Sequence, residues 1–389
     1  MKKVGIATVH TGFNYGSCLQ AYAGQQYISS LGYDTELLWY KDGIVKGRDV
    51  RIKKLLGMGL RTFWKPKLFK KTFLTYKKSL KKEIDPEIKE YFLDFQEKNL
   101  KVKKTNWRGL KSYANETNTL ACVCGSDQIW NATNVYIDPI FYLRFAPKSK
   151  RVAYAPSFGK NEIPDYNKNI IKKYISDFKY ISVREEQGTE IVKELLDRDV
   201  PAVIDPTLLL NKSEWMNCVN ENMQLPKEYI LVYFLDKPTQ TSLAYIKKLE
   251  KELNMPIISI PYKYDELSQF KNLTYVNAGP EQFLNLISNA RFVCTDSFHG
   301  MAFSANFNTP FYIFQRDYGT ATDQSSRIIS LLYKLNLKER FVYEVNEIAI
   351  KNFDSNIDFE LTNKLLESER NKSKNYLLNA FDDINNSQK

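Results

Sequence analysis

Histidine is the residue type that most often donates or accepts a proton near neutral pH, and this chain has only two. They are His10 and His299, and both stand at the ends of predicted strands. His299 lies in the segment 295–300 (TDSFHG). Neither has a cysteine or second histidine at metal-ligand spacing, so the pattern favours acid–base chemistry over a zinc site. The alternative is a buried histidine that hydrogen-bonds to the backbone.

A polar segment follows the apolar strand predicted at 120–124. It contains Ser126, Asp127, Gln128, Trp130 and Asn131. An aromatic face beside amide and carboxylate groups is typical of a surface that binds sugar hydroxyls. The alternative is an ordinary helix start, in which Ser126 or Asp127 caps the first turn.

Arg184 follows the strand predicted at 180–183. A guanidinium at the carboxyl end of a strand can bind a phosphate or carboxylate through two parallel hydrogen bonds. The alternative is a surface salt bridge with Glu185 or Glu186. Taken in isolation, the segment favours the salt bridge.

The loop 10–17 (HTGFNYGS) joins the first predicted strand to the first helix. Gly12 and Gly16 permit a tight turn, and Asn14 and Ser17 can cap the helix or hold a ligand. The dinucleotide-binding pattern Gly-x-Gly-x-x-Gly is absent. The loop is therefore either a capped turn or part of a binding site.

Short apolar strands alternate with helical patterns along the chain. Strands are predicted at 4–9, 36–40, 120–124, 152–155 and 180–183, and again at 229–235, 256–260, 291–294 and 311–314. Such alternation is typical of α/β parallel sheets covered by helices, and ligands bind beyond the carboxyl ends of their strands. We therefore predict two doubly wound, Rossmann-like α/β domains that face one another across a cleft.

The predicted domain boundaries follow from this pattern. Residues 1–210 form an N-terminal α/β domain, with a basic insertion at 41–82. Residues 211–345 form a C-terminal α/β domain that carries the 295–300 segment. Residues 346–389 form a helical tail that crosses back.

Composition excludes several classes of protein. The chain has 389 residues, of which 43% are hydrophobic and 26% charged, so it can bury a core and is not disordered. No apolar run approaches the roughly 18 residues that span a bilayer, and the N-terminus lacks the apolar stretch of a signal peptide. Five cysteines without framework spacing fit a reducing compartment. We expect a cytoplasmic protein.

Six segments, in order, resemble the polysaccharide pyruvyl transferase family. They are 10–23 (HTGFNYGSCLQAYA), 125–131 (GSDQIWN), 154–159 (YAPSFG), 181–185 (ISVRE), 205–209 (DPTLL) and 295–300 (TDSFHG). The resemblance implies a GT-B-like fold and transfer of the enolpyruvyl group of phosphoenolpyruvate onto two hydroxyls of one sugar, with a cyclic ketal formed and phosphate released. Phosphoenolpyruvate is the donor substrate, and no cofactor or metal is implied. The resemblance also implies an acceptor built on a lipid carrier.

The same resemblance puts the acceptor on the side of the N-terminal domain, residues 1–210, and assigns roles to the candidate residues. His299 is the candidate general acid, Arg184 the candidate anchor for the donor's phosphate or carboxylate, and Asp127 the candidate base. The substrate-binding candidates are Asn14, Tyr15, Gly16, Ser126, Gln128, Trp130, Asn131, Ser297, Arg316 and Arg327.

The chain departs from the family pattern at one position. Many members have an arginine two residues before the histidine, where this chain has Ser297. Arg316 and Arg327, shortly downstream, are candidates for the missing cation. The main alternative function is a GT-B glycosyltransferase that uses a nucleotide sugar in the same cleft. A third is a non-catalytic protein whose basic insertion binds nucleic acid or membrane.

The basic insertion 41–82 carries fifteen basic and two acidic residues, against a net charge of +11 for the whole chain. Apolar and aromatic residues interleave with the lysines, which is typical of a segment at an anionic membrane surface. No nucleic-acid-binding module is recognisable. We predict peripheral association with the inner face of the plasma membrane. The alternative is a solvated insertion with a small core, and the oligomeric state stays open.

Overall fold

The first half of the chain is built on a six-stranded parallel sheet with the strand order β3-β2-β1-β4-β5-β6. A computed structural model describes residues 1–40, 52–64, 84–219, 223–316, 325–343 and 356–388. The strands are β1 (Lys3–Ala7), β2 (Asp34–Tyr40), β3 (Val102–Thr105), β4 (Thr119–Cys124), β5 (Arg151–Ala153) and β6 (Tyr180–Ile181). The helices are α1 (Tyr15–Ser30), α2 (Ile52–Trp64), α3 (Pro86–Asn99), α4 (Trp107–Asn115), α5 (Asp165–Ile175) and α6 (Glu186–Leu196).

The second half is built on another six-stranded parallel sheet, with the order β12-β11-β10-β7-β8-β9. Its strands are β7 (Ile230–Tyr233), β8 (Ile257–Ile260), β9 (Leu273–Tyr275), β10 (Phe292–Thr295), β11 (Phe311–Phe314) and β12 (Phe341–Val342). The helices are α7 (Lys212–Met216), α8 (Gln240–Leu253), α9 (Pro280–Asn289), α10 (Phe298–Phe307), α11 (Ser326–Lys334) and α12 (Phe359–Asn386).

The two sheets share one topology. Read from its opposite edge, the second sheet repeats the order 3-2-1-4-5-6 of the first, which is the doubly wound Rossmann arrangement. The predicted fold class, two Rossmann-like halves in a GT-B-like arrangement, is confirmed. In each half, the first three strands are added towards one edge of the sheet and the next three towards the other edge. The switch point therefore lies between the first and fourth strands. The loops that leave those strands are therefore where a ligand site is expected.

The strands are buried runs, and helix ends are capped locally. β4, β7, β8, β10 and β11 are buried along their whole length, as strands covered on both faces must be. Asn14 caps α1 by accepting a hydrogen bond from Ser17 N at 3.0 Å. The five cysteines are buried free thiols.

The C-terminal helix α12 contacts both halves. Tyr376 Oη donates to Ala153 O at 2.8 Å in the first half. Arg370 Nη2 donates to Asn306 Oδ1 at 2.9 Å in the second. The tail thus lies across the junction.

The basic insertion lies mostly outside the described residues. Of the range 41–82, the structure describes only α2. None of the helices in the described ranges is long and apolar enough to cross a membrane.

Candidate active site

A cavity of about 250 Å³ lies where the switch points of the two sheets meet. The first half contributes Val9, Asn14, Ser17, Asp127 and Gln128, and the second half contributes Leu235, Ser297, Phe298, His299, Arg316 and Arg327. The candidates Asn14, Asp127, Gln128, Ser297, His299, Arg316 and Arg327 are thus brought together. Polar side chains dominate both walls, as expected of a site for a charged or hydroxylated ligand.

His299 reaches the cavity from the first turn of α10. Ser297 caps this helix, its Oγ accepting from Gly300 N at 3.4 Å, and Ser297 N donates to Thr295 Oγ1 at 3.0 Å. The imidazole is 7% exposed. Its Nε2 lies 3.8 Å from Asp205 Oδ1 and has no hydrogen-bond partner among the described residues. The ring therefore has a carboxylate counter-ion nearby and an unused nitrogen.

His299 also fits against α1 of the other half. A Cβ built on Gly16 would lie 1.9 Å from His299 Nδ1, so no side chain can stand there while the ring keeps its place. Gly16 is therefore a close-approach glycine rather than a residue of the cavity lining. The position of the histidine is set by contacts from both halves.

Arg327 is a buried cation for which the described residues provide no ion pair. Its side chain lines the cavity, and no carboxylate lies within ion-pair distance of it among the described residues. Its Nε is buried without a hydrogen-bond partner in the same part of the chain. Burial, with the charges of Arg184 and Arg316 adding to it, lowers the pKa of Arg327 to about 10, so the guanidinium stays charged at neutral pH. Such an uncompensated charge fits an anion site.

Arg316 is held differently. Its Nε donates to Asp296 O at 2.9 Å and lies 3.2 Å from Asp296 Oδ2. Asp296 in turn accepts from the backbone N–H groups of Leu235 and Asp236 at 2.7 and 3.0 Å. Burial raises the pKa of Asp296, against the lowering effect of Arg316 and these two hydrogen bonds. Arg316 thus enters the cavity on a rigid support.

Asp127 lies in the cavity as an ionised carboxylate. It accepts hydrogen bonds from Ser17 Oγ at 2.6 Å and from Gln128 N at 2.8 Å. Burial alone would raise its pKa, but Arg184, His299 and the hydrogen bonds outweigh burial and lower it. A lowered pKa makes a weaker base, so the predicted role of Asp127 as base stays a prediction that its surroundings do not favour.

Arg184 lies behind the cavity wall and is not among the lining residues. Its side chain is 1% exposed and Nη1 lies 2.7 Å from Asp205 Oδ2, with Glu185 and Asp127 carboxylates at 3.8 and 4.0 Å. The guanidinium stacks over the ring of Phe298 at 4.5 Å. Nε and Nη2 lack hydrogen-bond partners within the described ranges. The alternative from the sequence was a surface salt bridge of Arg184 with Glu185 or Glu186. Arg184 does form ion pairs, but they are buried, and its nearest carboxylate is that of Asp205.

Asp205 is the residue that sequence reasoning missed as a site residue. It is buried at the junction, where its carboxylate accepts from Ser126 Oγ and Thr207 Oγ1, both at 2.9 Å, besides pairing with Arg184. Burial would raise its pKa, yet His299 and Arg184 hold it far below the usual range. The available signal was its place before Pro206, at the start of a helical turn, within the 205–209 segment.

Besides Arg184 and Gly16, four further candidates are not cavity-lining residues. Trp130 is fully buried, stacks on Tyr142 at 5.4 Å and donates through Nε1 to Phe141 O at 2.9 Å, so its indole is not open to a sugar. Tyr15 donates to Ala278 O at 2.8 Å within the core.

Asn131 and Ser126 also serve local structure. Asn131 Oδ1 accepts from Thr133 N at 3.0 Å in a turn. Ser126 Oγ donates to Ala155 O at 2.8 Å and to Asp205. These placements show that the segment after β4 mainly builds the wall behind Asp127 and Gln128.

The second histidine is not part of the cavity. His10 is 5% exposed, its Nδ1 lies 3.1 Å from Thr8 O, and burial lowers its pKa. It packs edge-on against Trp39. The buried-histidine alternative therefore describes His10. No group of three or more His, Cys, Asp or Glu residues that could hold a metal ion occurs in the part of the chain that the structure describes.

Comparison with solved structures returns proteins of low similarity. S. aureus MnaA with UDP is 11% identical, with 95% of this chain and 89% of that chain covered and a TM-score of 0.48. Methanocaldococcus jannaschii UDP-GlcNAc 2-epimerase is 12% identical, with 94% and 98% covered and a TM-score of 0.44. E. coli heptosyltransferase WaaC is 9% identical, with 83% and 95% covered and a TM-score of 0.36. Such scores carry no argument about function.

Comparison by sequence is decisive. No curated protein matches the chain significantly. The model of the polysaccharide pyruvyl transferase family, however, matches residues 14–318, which include the cavity-lining residues from Asn14 to Arg316. Because this match covers most of the chain, the protein belongs to the polysaccharide pyruvyl transferase family and is an enzyme.

Proposed function

We propose that the enzyme transfers the enolpyruvyl group of phosphoenolpyruvate onto two hydroxyls of one sugar, forming a cyclic pyruvate ketal and releasing phosphate. The observation that carries the proposal is Arg327, a buried guanidinium without a carboxylate partner in the described structure, on the same cavity as His299. A donor with a carboxylate and a phosphate supplies the missing negative charge. Arg316 and the N-terminus of α10 add positive potential on the same wall.

The reaction balances with one proton donor at the cavity. C3 of the enol gains a proton, the bond from C2 to the phosphate oxygen breaks, and two bonds from C2 to sugar oxygens form. The two hydroxyls together lose two protons, of which one replaces the proton given to C3 and one leaves with phosphate. No redox partner is required.

In this proposal His299 gives the proton to C3. Asp205 Oδ1, 3.8 Å from Nε2, provides a counter-ion for the proton-carrying ring. General acid catalysis by a positioned side chain contributes about 10²- to 10⁴-fold to a rate. The positive charge that develops at C2 faces the carboxylate of Asp127 across the cavity, so this group stabilises the transition state without having to act as a strong base.

The acceptor sugar approaches from the first-half wall. Asn14 and Gln128 line the cavity there with amide groups that match sugar hydroxyls. We include in the proposal that the sugar is carried on a lipid and that the basic insertion 41–82 associates with an anionic membrane. The charge of this insertion supports that association.

The test is a direct assay on the purified full chain. Phosphoenolpyruvate and a panel of galactosides and N-acetylhexosaminides should yield phosphate and a sugar whose mass gain matches a pyruvate ketal. Nucleotide sugars form the competing arm, because a GT-B glycosyltransferase would use them instead. Turnover with nucleotide sugars alone would contradict the proposal.

A further inference from the structure

Helix α2 exposes an apolar stripe to solvent. Ile52, Leu55, Leu56 and Leu60 are 53%, 50%, 60% and 62% exposed. Their spacing of three, four and eight residues from Ile52 puts them on one face of a helix. We call these four side chains the docking face. Soluble proteins rarely leave so many large aliphatic side chains together in water unless the surface binds something.

The body of the protein lies on the opposite side of this helix. A Cβ built on Gly57 would meet the ring of Tyr136 at 3.2 Å, whereas one built on Gly59 would have no atom of the described residues within 4 Å. At 100° per residue, Gly59 falls within the docking face and Gly57 falls well outside it. The helix therefore contacts the described part of the fold through its other side, and the docking face points away from that part.

Charge selects the occupant of this face. Within α2 the sequence has Lys53, Lys54 and Arg61 and no acidic residue. A second copy of the chain would bring an equally basic helix against it, and like charges oppose such pairing. A basic helix with an exposed apolar face instead suits the interface of an anionic bilayer.

We propose that the docking face inserts into the headgroup region of an anionic membrane. This inference deepens the membrane part of the proposed function, on which it rests, and names the side chains that make contact. Tyr136, which contacts the helix, follows the cavity residue Gln128 by eight residues. Because eight residues span at most about 29 Å, the contact with the helix lies no farther than that from Gln128. Docking through α2 would thus hold the acceptor wall near the membrane that carries the acceptor.

The experiment is co-sedimentation of the full chain with vesicles, without any substrate. Vesicles of mixed phosphatidylserine and phosphatidylcholine should bind the protein, and pure phosphatidylcholine should bind it far less. The double variant L56E/L60E should bind at least about tenfold more weakly, because it removes two aliphatic side chains that insertion would bury and adds charge repulsion. Lys54→Gln should weaken binding to the anionic vesicles about fivefold.

Leu93→Glu is the matched control. Leu93 is 56% exposed on α3, outside the docking face, so its replacement should leave vesicle binding unchanged. Failure of the wild type to bind anionic vesicles overturns the inference, and so does equal binding by L56E/L60E. Concentration-dependent dimerisation that this double variant abolishes would assign the face to a second copy and also overturn it.

The outcome can be separated from that of the catalytic proposal. With a soluble glycoside acceptor, L56E/L60E should turn over at the wild-type rate, because the docking face lies outside the cavity. Vesicle binding without pyruvyl transfer would sink the catalytic proposal and leave docking intact. Pyruvyl transfer without vesicle binding would overturn docking and leave the catalytic proposal intact.

Discussion

The buried arginines on the two sides of the cavity differ in whether nearby carboxylates compensate their charge. Directly behind the first-half wall, Arg184 has three carboxylates within 4.0 Å. On the second-half wall, Arg327 is also buried, yet no described carboxylate pairs with it. A compensated buried arginine mainly holds structure together, because its charge is already satisfied. An uncompensated one raises the free energy of the empty site and stabilises a bound anion.

The two sides of the cavity therefore have different roles in the site. The first-half wall is locked by the cluster of Arg184, Asp205 and Asp127, which also supports His299. The second-half wall carries the positive charge that a donor would meet. Many family members have an arginine where this chain has Ser297, so the second-half wall lacks that cation. Arg327 is the buried cation on this wall that we expect to take its role.

The largest expected effect comes from the residue that stands between the walls. His299→Ala should lower kcat by about 10²- to 10⁴-fold, because it removes the proposed proton donor. The affinity for phosphoenolpyruvate, measured by calorimetry, should change much less, since the arginines remain. Full turnover in this variant would remove His299 from the mechanism.

Gly16→Ala tests whether the first half positions the histidine. The new Cβ would lie 1.9 Å from His299 Nδ1 and must displace the ring. A displacement of about 1 Å at a reacting group can cost about 10²-fold, so kcat should fall while the KM for phosphoenolpyruvate stays close to wild type.

Gly24→Ala in the same helix is the control for this substitution. Its Cβ would meet Pro206 at an ordinary 3.7 Å, so activity should be unchanged. Equal kinetics of the two alanine variants would show that the close approach does not position His299.

The paired substitutions Arg327→Met and Arg184→Met address the comparison directly. Arg327→Met should weaken phosphoenolpyruvate binding by about 10- to 100-fold, the equivalent of one or two charged hydrogen bonds, without lowering the Tm of the free enzyme. Arg184→Met should lower the free energy of unfolding by about 3–5 kcal/mol, because Asp205 loses its buried partner. Calorimetric titration and thermal unfolding measure the two effects. The reverse pattern would refute the division of labour.

The two walls should also respond to acid in opposite directions. The pKa of Asp205 is lowered in the folded state, so its contribution to stability is present above the unfolded pKa of about 3.9 and is lost as pH falls. The pKa of Asp296 is raised, so folding favours its protonated form; its contribution is fully present below the unfolded pKa of about 3.9 and is lost as pH rises through the higher folded pKa.

Urea unfolding at pH 5 and at pH 3 measures this difference. Asp296→Asn should steepen the loss of stability on acidification, because it removes a contribution that grows at low pH. Asp205→Asn should flatten the loss. Identical pH dependence in both variants and the wild type would show that folding shifts the pKa of neither carboxyl group.

The smallest kinetic effect is expected at Trp130. Trp130→Phe should lower the free energy of unfolding by about 1–3 kcal/mol, since it leaves the carbonyl of Phe141 without its indole donor. The KM for the acceptor sugar should not change, because the ring lies in the core. A large rise in this KM would restore the sugar-stacking role predicted from the sequence.

The sequence by itself determined the fold class and the segments that form the site. Buried strands alternate with helices at spacings typical of a parallel α/β sheet, and the carboxyl ends of such strands meet at one edge. The short strands β3, β9 and β12 were not predicted, because they are edge strands with too few apolar residues to produce a pattern.

Only the tertiary structure decided which polar residues serve the site. Trp130 and Asn131 occupy the same segment as Asp127, but local hydrogen bonds turn them away from the cavity. The pairing of Arg184 with Asp205 and Asp127, and the lack of a described carboxylate partner for Arg327, depend on residues far apart in the chain. Charge compensation is a property of distance in space, and spacing along the sequence does not contain it.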